Sequence, residues 1–329
     1  MSILLLVISL AVILLAAQIF TNGIEWIGVK LNLTEGAVGS ILAAVGTAMP
    51  ESLIPLIAFV TGGGVEQHQI GIGAIIGAPF MLSTLGFFIS GMVVVLEARR
   101  RFDFPHLRVD ERVIKRDFFF FLIGYSLGLS AALIENNLVV CLIAVFLIVW
   151  YCLYVWLTLR FGAEVEHSAD LSPLYFSRAN HNPRLRFVIL QVIVGLVLLI
   201  MGANLFVNNV EVISDLLGLS PFILSLLIAP VATELPEKFN SVIWLLQGKD
   251  TLALGNITGA MVFQGVLLPS IGIIFTDWRV VAGSVTPIVI TYLSVGLVYT
   301  LLLLRKKLNS FTLLAGGLFY GVFVWVMLH

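Results

Sequence analysis

Charged residues are scarce in this chain. Only 11% of its 329 residues are Asp, Glu, Lys or Arg, whereas 60% are hydrophobic. A soluble globular domain carries roughly twice that fraction of charge, about 25%, so the composition excludes a conventional water-soluble protein. The mean hydropathy of +1.08 indicates a protein that crosses a lipid bilayer many times.

Cysteine and histidine are also rare. Cys141 and Cys152 are too far apart on one helix for a disulfide and are expected to be buried small apolar residues. Every histidine is expected in a loop or at the C-terminus: His68, His106, His167, His181 and His329. This placement argues against a histidine-ligated metal or a histidine proton relay inside the membrane.

Motifs of soluble catalysis are missing as well. The chain has no Gly-rich phosphate-binding loop and no nucleic-acid-binding pattern, so we expect neither an enzyme nor a nucleic-acid partner. No resident cofactor is expected. The expected partners are the lipid bilayer and inorganic cations, and the oligomeric state is left open.

The apolar runs predict an all-α polytopic membrane protein with ten transmembrane helices. Each run is long enough to cross roughly 30 Å of hydrocarbon. They cover about residues 3–26, 37–61, 70–96, 117–134, 138–160, 185–208, 221–247, 252–275, 281–304 and 309–328. The first run has no basic N-terminal segment and exceeds the length of a signal-peptide core, so it is predicted to be a helix of the fold.

Lys and Arg predict the orientation, because short loops rich in these residues stay in the cytoplasm. With the N-terminus outside, sixteen of the 18 basic residues fall in inner loops. Arg279 then lies outside and Lys238 lies inside a span. Ten spans place the C-terminus outside too, and the short loops favour a prokaryotic inner membrane.

One motif occurs twice. "AVGTAMPE" and "PVATELPE" lie 186 residues apart and align three residue types: Thr47 with Thr233, Pro50 with Pro236, and Glu51 with Glu237. The same separation aligns upstream "AAQIFTNGIEWI" with "GANLFVNNVEVI". Each copy belongs to a unit of five predicted spans, residues 1–160 and 185–329, joined by a polar cytoplasmic linker at 161–184. Because five is odd, the second unit is predicted to be inverted, as in many secondary transporters.

The repeated motif offers oxygen atoms inside an apolar segment. Proline has no N–H, so Pro50 and Pro236 each leave a carbonyl of the preceding turn without its helical donor. The Thr hydroxyl and Glu carboxylate, four residues apart, lie on the same helical face. Hard cations such as Na⁺ and Ca²⁺ prefer these ligands. The alternative is that the prolines only kink the helices and each Glu accepts a hydrogen bond from a neighbouring helix.

The following helices repeat at a separation of 182 residues. "GIGAIIGAPF" aligns with "ALGNITGAMV", which pairs Gly73 with Gly255 and Gly77 with Gly259. Small residues four apart allow close helix approach, and packing alone is one explanation for them. Asn256 and Gln264, two turns apart on one side of the eighth span, are candidates to supply amide oxygens to a cation.

These motifs resemble the alpha repeats of the sodium/calcium exchanger family, a part of the cation/calcium antiporter superfamily, over nearly the whole chain. The resemblance implies antiport of Ca²⁺ against Na⁺ or H⁺ by alternating access. It also implies that Glu51 and Glu237 are the central metal ligands and that Thr47 and Thr233 add further oxygens.

The chain departs from the family pattern at several ligand positions. Where the family commonly has serine before the Pro-Glu pair, this chain has Ala48 and Glu234. On the partner helices, the family's Ser and Asn or Asp positions are here Ala78 and Leu82 in repeat one, and Ala260 and Gln264 in repeat two. Repeat one therefore loses side-chain ligands, while repeat two gains the carboxylate of Glu234.

Lys238 directly follows Glu237 and lies four residues after Glu234. One interpretation is that Lys238 and Glu234 neutralise each other within the helix and leave Glu51 and Glu237 to hold the cation. The other is that the ammonium takes the place of a Na⁺, so that the protein carries fewer ions than a typical exchanger and uses protons.

Two functions follow from these residues. The first is a secondary active antiporter for Ca²⁺ or another cation, driven by Na⁺ or H⁺. The second is a divergent family member that no longer exchanges ions, either a passive or sensing membrane protein or a transporter of a different solute, because its ligand set is incomplete.

Overall fold

The computed structural model describes residues 1–30, 43–61, 64–161, 172–177, 182–279 and 281–328. These residues are almost entirely helical. The all-helical fold predicted from the apolar runs is therefore confirmed for the described part of the chain.

Long helices make up the first half. They are α1 Ser2–Lys30, α2 Ala43–Thr61, α3 Val65–Met81, α4 Phe87–Leu96, α5 Glu111–Ser130 and α6 Asn137–Phe161. A π-helical turn at Leu82–Gly86 joins α3 to α4, and a 3-10 turn at Ala131–Leu133 extends α5. Strand β1 is His106–Leu107.

The second half begins after a 3-10 turn at Tyr175–Ser177. Its helices are α7 Leu185–Leu217, α8 Pro221–Thr233, α9 Leu235–Leu246, α10 Asp250–Val262, α11 Leu268–Phe275, α12 Val285–Arg305 and α13 Ser310–Leu328. A π-helical turn at Phe263–Leu267 joins α10 to α11, and strand β2 is Leu308–Asn309.

Eight helical segments of the described chain are long and apolar enough to cross a membrane. They are Ser2–Ile27, Val65–Leu96, Glu111–Leu133, Asn137–Thr158, Leu185–Leu217, Asp250–Phe275, Val285–Arg305 and Ser310–Met327. The predicted spans 37–61 and 221–247 contain the shorter apolar helices Glu51–Thr61 and Pro221–Val231. A polytopic helical membrane protein is confirmed, and the count of ten spans stays a prediction.

Local sequence explains the turn between α7 and α8. Gly218 ends α7 in the left-handed conformation, with φ of 64°, which glycine adopts without steric cost. Ser220 then caps α8 by accepting a hydrogen bond from the backbone N–H of Ile223 at 3.3 Å. Pro221 occupies the first turn of α8, where its missing N–H is not needed.

The two halves pack against each other through two pairs of helices. Helix α1 lies along α7, and α3 lies along α8. Gly73 and Gly77 allow the second contact, because a β-carbon on either would overlap the backbone of Phe222 or Leu226 in α8. The Ser225 hydroxyl also donates a hydrogen bond to the Ile70 carbonyl at 2.7 Å. The packing explanation for these two glycines is thus supported by described contacts.

Each half carries a π-helical turn at a matching place. The turn at Leu82–Gly86 follows α3, and the turn at Phe263–Leu267 follows α10. Leu82 and Gln264, which the repeat alignment pairs, lie in the two turns. Such turns are rare and are frequent at functional sites. The backbone of the two halves therefore matches at a detail that the alignment did not specify.

Three loops meet at one end of the molecule. After α4, the Arg101 guanidinium binds both carboxylate oxygens of Asp250 at 2.8 and 2.9 Å, and the Arg108 N–H donates to the same carboxylate at 2.9 Å. Strand β1 pairs antiparallel with β2. The loop between α4 and α5 is therefore hydrogen-bonded to the start of α10 and to the turn after α12.

The described part of the linker is held against α1. The Ser172 carbonyl accepts hydrogen bonds from the side chains of Asn22, at 3.2 Å, and Trp26, at 3.1 Å. Leu174 is fully buried beside Trp26. Most of the predicted linker lies outside the described residues.

Two sequence-based expectations about rare residues are wrong. Cys141 and Cys152 are free, as expected, but they are exposed and not buried. They belong to α6, a helix at the periphery whose apolar side chains face outward, and a small apolar residue has no reason to avoid lipid. His68 lies in the first turns of α3 and not in a loop; its ring contacts the Phe59 ring edge-to-face.

Substitution of Gly77 tests the close contact between α3 and α8. We expect Gly77→Ala to lower the free energy of unfolding by about 1–3 kcal/mol, because the added methyl group forces the backbones apart. The measurement is the thermal unfolding midpoint of the purified protein in detergent. Gly296→Ala is the control, since no described atom lies within 4 Å of its added carbon. Equal effects of the two substitutions would contradict the proposed contact.

Candidate cation-binding site

Glu51 lies in α2 and is buried, with 5% of its surface exposed. Ile54 and Ala58 follow at helical spacing and are buried on the same face. This face of α2 meets α1, α3 and α7. Glu51 is therefore a carboxylate held inside the protein, as predicted. The side chains of Thr47 and Pro50 lie outside the described part of the structure.

The second copy of the motif interrupts its helix. Helix α8 ends at Thr233 and α9 starts at Leu235, with Glu234 between them at φ of −96° and ψ of −2°. Pro236 has no N–H to donate to the Ala232 carbonyl, which explains why the helix breaks here. In repeat one the backbone stays helical through Pro50, within α2.

Thr233 is buried at the end of α8. Its hydroxyl donates a hydrogen bond to the Ala229 carbonyl at 3.2 Å. Donation uses the hydroxyl proton and leaves the oxygen lone pairs available. Thr233 therefore keeps the ability to offer an oxygen ligand, as the motif predicts.

Glu234 and Lys238 form a buried ion pair. The Lys238 Nζ atom lies 2.9 Å from Glu234 Oε2, and the two side chains are 9% and 0% exposed. The Lys238 backbone N–H also donates to the Glu234 carbonyl at 3.0 Å. The first interpretation of Lys238, mutual neutralisation within the helix, thus matches the observed contact.

Helix α9 presents its polar side to the protein. Glu234, Lys238 and Ser241, at helical spacing, are 0%, 8% and 1% exposed. On the opposite side, Phe239 and Leu246 are 64% and 55% exposed. A helix of a soluble protein has the reverse arrangement. This pattern fits a helix whose apolar side faces lipid and whose charged side faces the interior of the protein.

Helix α10 supports α9 through Ser241. The Ser241 hydroxyl donates to the Ala253 carbonyl at 3.1 Å and accepts from the Asn256 amide at 3.1 Å. Asn256 is thus engaged with α9 near the predicted site. Its predicted role as a cation ligand remains a prediction.

Gln264 faces Glu234 from the π-helical turn after α10. It is fully buried and interacts with the Glu234 carboxylate. Gln264 therefore places a buried amide against the carboxylate at the start of α9.

The described residues thus bring together Thr233, Glu234, Lys238 and Gln264 in repeat two. The Glu237 side chain lies outside them, so its pairing with Glu51 across the repeats stays a prediction. Within the described ranges, no three His, Cys, Asp or Glu side chains form a metal-binding group. The site of repeat two combines one carboxylate, one ammonium, one hydroxyl and one amide.

Sequence reasoning missed another buried carboxylate, Asp117 of α5. Its Oδ1 atom accepts hydrogen bonds from Arg116, at 3.0 Å, and from the Tyr154 hydroxyl, at 3.1 Å. Its Oδ2 atom accepts from the Thr258 hydroxyl at 2.7 Å. Asp117 therefore links α5, α6 and α10, the helix that supports α9.

A sequence signal for Asp117 was present. The residue precedes four phenylalanines in "RDFFFF", and a carboxylate beside such an apolar run is unusual. The predicted fourth span starts at residue 117, so the sequence places Asp117 at the membrane boundary. The helix starts at Glu111, so Asp117 lies nearly two turns inside it.

Removal of this carboxylate is expected to destabilise the protein. Asp117→Ala leaves Arg116 without its buried partner, and breaking such a pair costs about 3–5 kcal/mol. Thermal unfolding in detergent measures the loss. The control is Asp103→Ala, which removes a solvent-exposed partner of Arg108 and should change stability little. A midpoint for Asp117→Ala equal to that of the control would show that the network is not stabilising.

Comparison with known proteins agrees with this architecture. The family model described as sodium/calcium exchanger protein matches residues 1–160 and 187–329. A protein of Alkalimonas amylolytica named as a candidate antiporter, CaxA, is 24% identical over 277 residues, which are 84% of this chain and 82% of that protein. The inner membrane protein YrbG of Escherichia coli is 21% identical over 277 residues, 82% of this chain and 78% of that protein.

Solved structures share the fold. The H⁺/Ca²⁺ exchanger CAX superimposes with a TM-score of 0.79 at 16% identity, over 100% of this chain and 82% of that chain. The sodium-calcium exchanger NCX_Mj, soaked with Na⁺ and Sr²⁺, gives a TM-score of 0.61 at 19% identity, over 98% of this chain and 97% of that chain. Because the family model covers both halves of the sequence, this chain belongs to the sodium/calcium exchanger protein family and is a membrane transporter, not an enzyme.

Proposed function

We propose that this protein is a secondary active antiporter that exchanges Ca²⁺, or another cation, for Na⁺ or H⁺ by alternating access. One observation carries the proposal. Helix α9 has its charged side buried in the protein and its apolar side exposed. Charged groups are expensive at membrane depth, and where they occur they mark ion pathways.

The site is proposed to lie near the bilayer midplane, where two inverted repeats meet. The packing of α1 on its equivalent α7 and the matching π-helical turns support an internal repeat. Discontinuous helices at repeat interfaces are typical of transporter sites. The break between α8 and α9 at Glu234 has this character.

The orientation is proposed to have both termini outside, in a prokaryotic inner membrane. The loop after α4, the turn before α10 and the turn after α12 are the segments that the basic residues assign to the cytoplasm. These three segments meet at one end of the molecule. Their contact supports the assignment.

Glu51 and Glu237 are proposed as the metal ligands, with Thr47 and Thr233 as additional oxygen donors. Glu51 is buried and Thr233 is buried, as this role requires. Carboxylate, hydroxyl and carbonyl oxygens form the ligand set that Ca²⁺ prefers. Pro50 and Pro236 are proposed to keep main-chain carbonyls available beside them. The names of similar proteins include both proton-coupled and sodium-coupled exchangers, so the proposal keeps both counter-ions.

A second candidate function is supported by the ligand losses. Ala78 and Leu82, at family ligand positions of repeat one, are buried and have no oxygen in their side chains. Lys238 adds a positive charge beside Glu237. A protein with this site could have lost exchange and act as a sensor, a passive membrane protein or a transporter of another solute.

Glutamine substitutions of the two motif glutamates test the antiport. We expect Glu51→Gln and Glu237→Gln each to abolish Ca²⁺ uptake into proteoliposomes driven by an outward Na⁺ or H⁺ gradient, because each removes one ligand charge. The control is Glu135→Gln, an exposed carboxylate in the turn between α5 and α6. If the wild type takes up no Ca²⁺ under either gradient, the second function is favoured. Normal uptake by both variants would exclude these glutamates as ligands.

The site is also expected to show competition between protons and the metal. A carboxylate must be ionised to bind a cation, so proton binding and metal binding exclude each other. The apparent affinity for Ca²⁺ should therefore fall as the pH is lowered. Isothermal titration of purified protein from mildly acidic to alkaline pH measures this, and an affinity that is flat across that range would contradict it.

A further inference from the structure

The charges that distinguish the two repeats cancel. Repeat two has Glu234 and Lys238 where the repeat alignment gives Ala48 and Ser52 in repeat one. Lys238 Nζ lies 2.9 Å from Glu234 Oε2. Relative to repeat one, repeat two thus gains one negative and one positive charge that neutralise each other at close range.

The pair lies at the position where the antiporter would hold its cations. Glu234 and Lys238 flank Glu237 in the chain, and Thr233 precedes them directly. Both charged side chains are almost completely shielded from solvent. At this burial the ammonium of Lys238 is the counter-charge of the Glu234 carboxylate, and a mobile cation would otherwise have to supply that charge.

We propose that Lys238 is a built-in cation that takes the place of one exchangeable monovalent ion. This inference rests on the proposed antiport. With Glu234 neutralised, the charge left for transported cations is that of Glu51 and Glu237. The site then accommodates one divalent cation or two monovalent cations, and the exchange moves no net charge across the membrane.

Gln264 shows that the local structure retains ligands for the displaced ion. Its fully buried amide interacts with the Glu234 carboxylate. An amide oxygen beside a carboxylate is a suitable ligand pair for a monovalent or divalent cation. If the ammonium is removed, Glu234 and Gln264 remain to bind a cation in its place.

The experiment compares the wild type with Lys238→Met, Glu234→Gln and the double variant. Methionine keeps most of the length and volume of lysine without its charge. At alkaline pH, equilibrium dialysis with radioactive Na⁺ should show that Lys238→Met binds one more Na⁺ per protein than the wild type. The double variant should bind the same number as the wild type, since it lacks both charges of the pair.

Transport in proteoliposomes gives an independent readout. Ca²⁺ uptake by the wild type should not respond to a membrane potential imposed with K⁺ and valinomycin, whereas uptake by Lys238→Met should respond to it. Wild-type uptake that depends on the potential would overturn the inference. So would a Lys238→Met variant that binds no additional Na⁺.

Glu234→Gln keeps the inference testable if Lys238→Met does not fold. This variant leaves the ammonium uncompensated in the site, so its affinity for Ca²⁺ should fall by about tenfold or more. The double variant should recover most of that affinity. Failure of this recovery would overturn the inference.

The outcomes also separate this inference from the proposed function. If Ca²⁺ uptake depends on Glu51 and Glu237 while Lys238→Met gains no Na⁺ site, the antiport stands and the role of Lys238 is wrong. If the wild type transports no cation under any gradient, the antiport itself is wrong.

Discussion

A carboxylate inside a membrane protein needs a counter-charge or several hydrogen-bond donors, and this requirement organises the structure. Glu234 has Lys238, Asp117 has Arg116, Tyr154 and Thr258, and Asp250 has Arg101. Burying such a group alone would cost several kcal/mol or more. The contacts of Asp117 join α5 to α6 and α10, and those of Asp250 join the loop after α4 to the start of α10.

The contacts differ in how far the sequence could predict them. Glu234 and Lys238 are four residues apart, so their pairing follows from helical geometry and was predicted as one of two interpretations. Thr258, which binds Asp117, and Arg101, which binds Asp250, lie more than a hundred residues away in the chain, so these contacts depend on which helices are neighbours. The periodicity of apolar residues does not show which helices are neighbours. The same limit explains Cys141 and Cys152: their exposure depends on the peripheral position of α6, which the apolar composition of the helix does not reveal.

The repeat could be recognised because it constrains the backbone as well as the side chains. The glycine pairs and the two Pro-Glu motifs align the two halves in sequence, and the described structure adds a π-helical turn in each half. Side chains at equivalent positions have nonetheless diverged. Leu82 in one π-helical turn is apolar, while Gln264 in the other is an amide, and both are fully buried. The two π-helical turns therefore carry different chemistry: an apolar leucine in one half, and in the other an amide beside the Glu234–Lys238 pair.

This asymmetry has a physical consequence for any movement of the helices. An ion pair between two helices has to break when the helices separate, and each separated charge then lies in an apolar environment. Glu234 and Lys238 avoid this because both belong to the same stretch of chain, where the Lys238 N–H also bonds the Glu234 carbonyl. The pair can move with α9 as a unit and stay neutral in every orientation of the site. No Lys or Arg stands three or four residues before or after Glu51, where the chain has Thr47, Ala48, Ile54 and Pro55. Any counter-charge for the Glu51 carboxylate therefore has to come from another element of the protein, in contrast to that of Glu234.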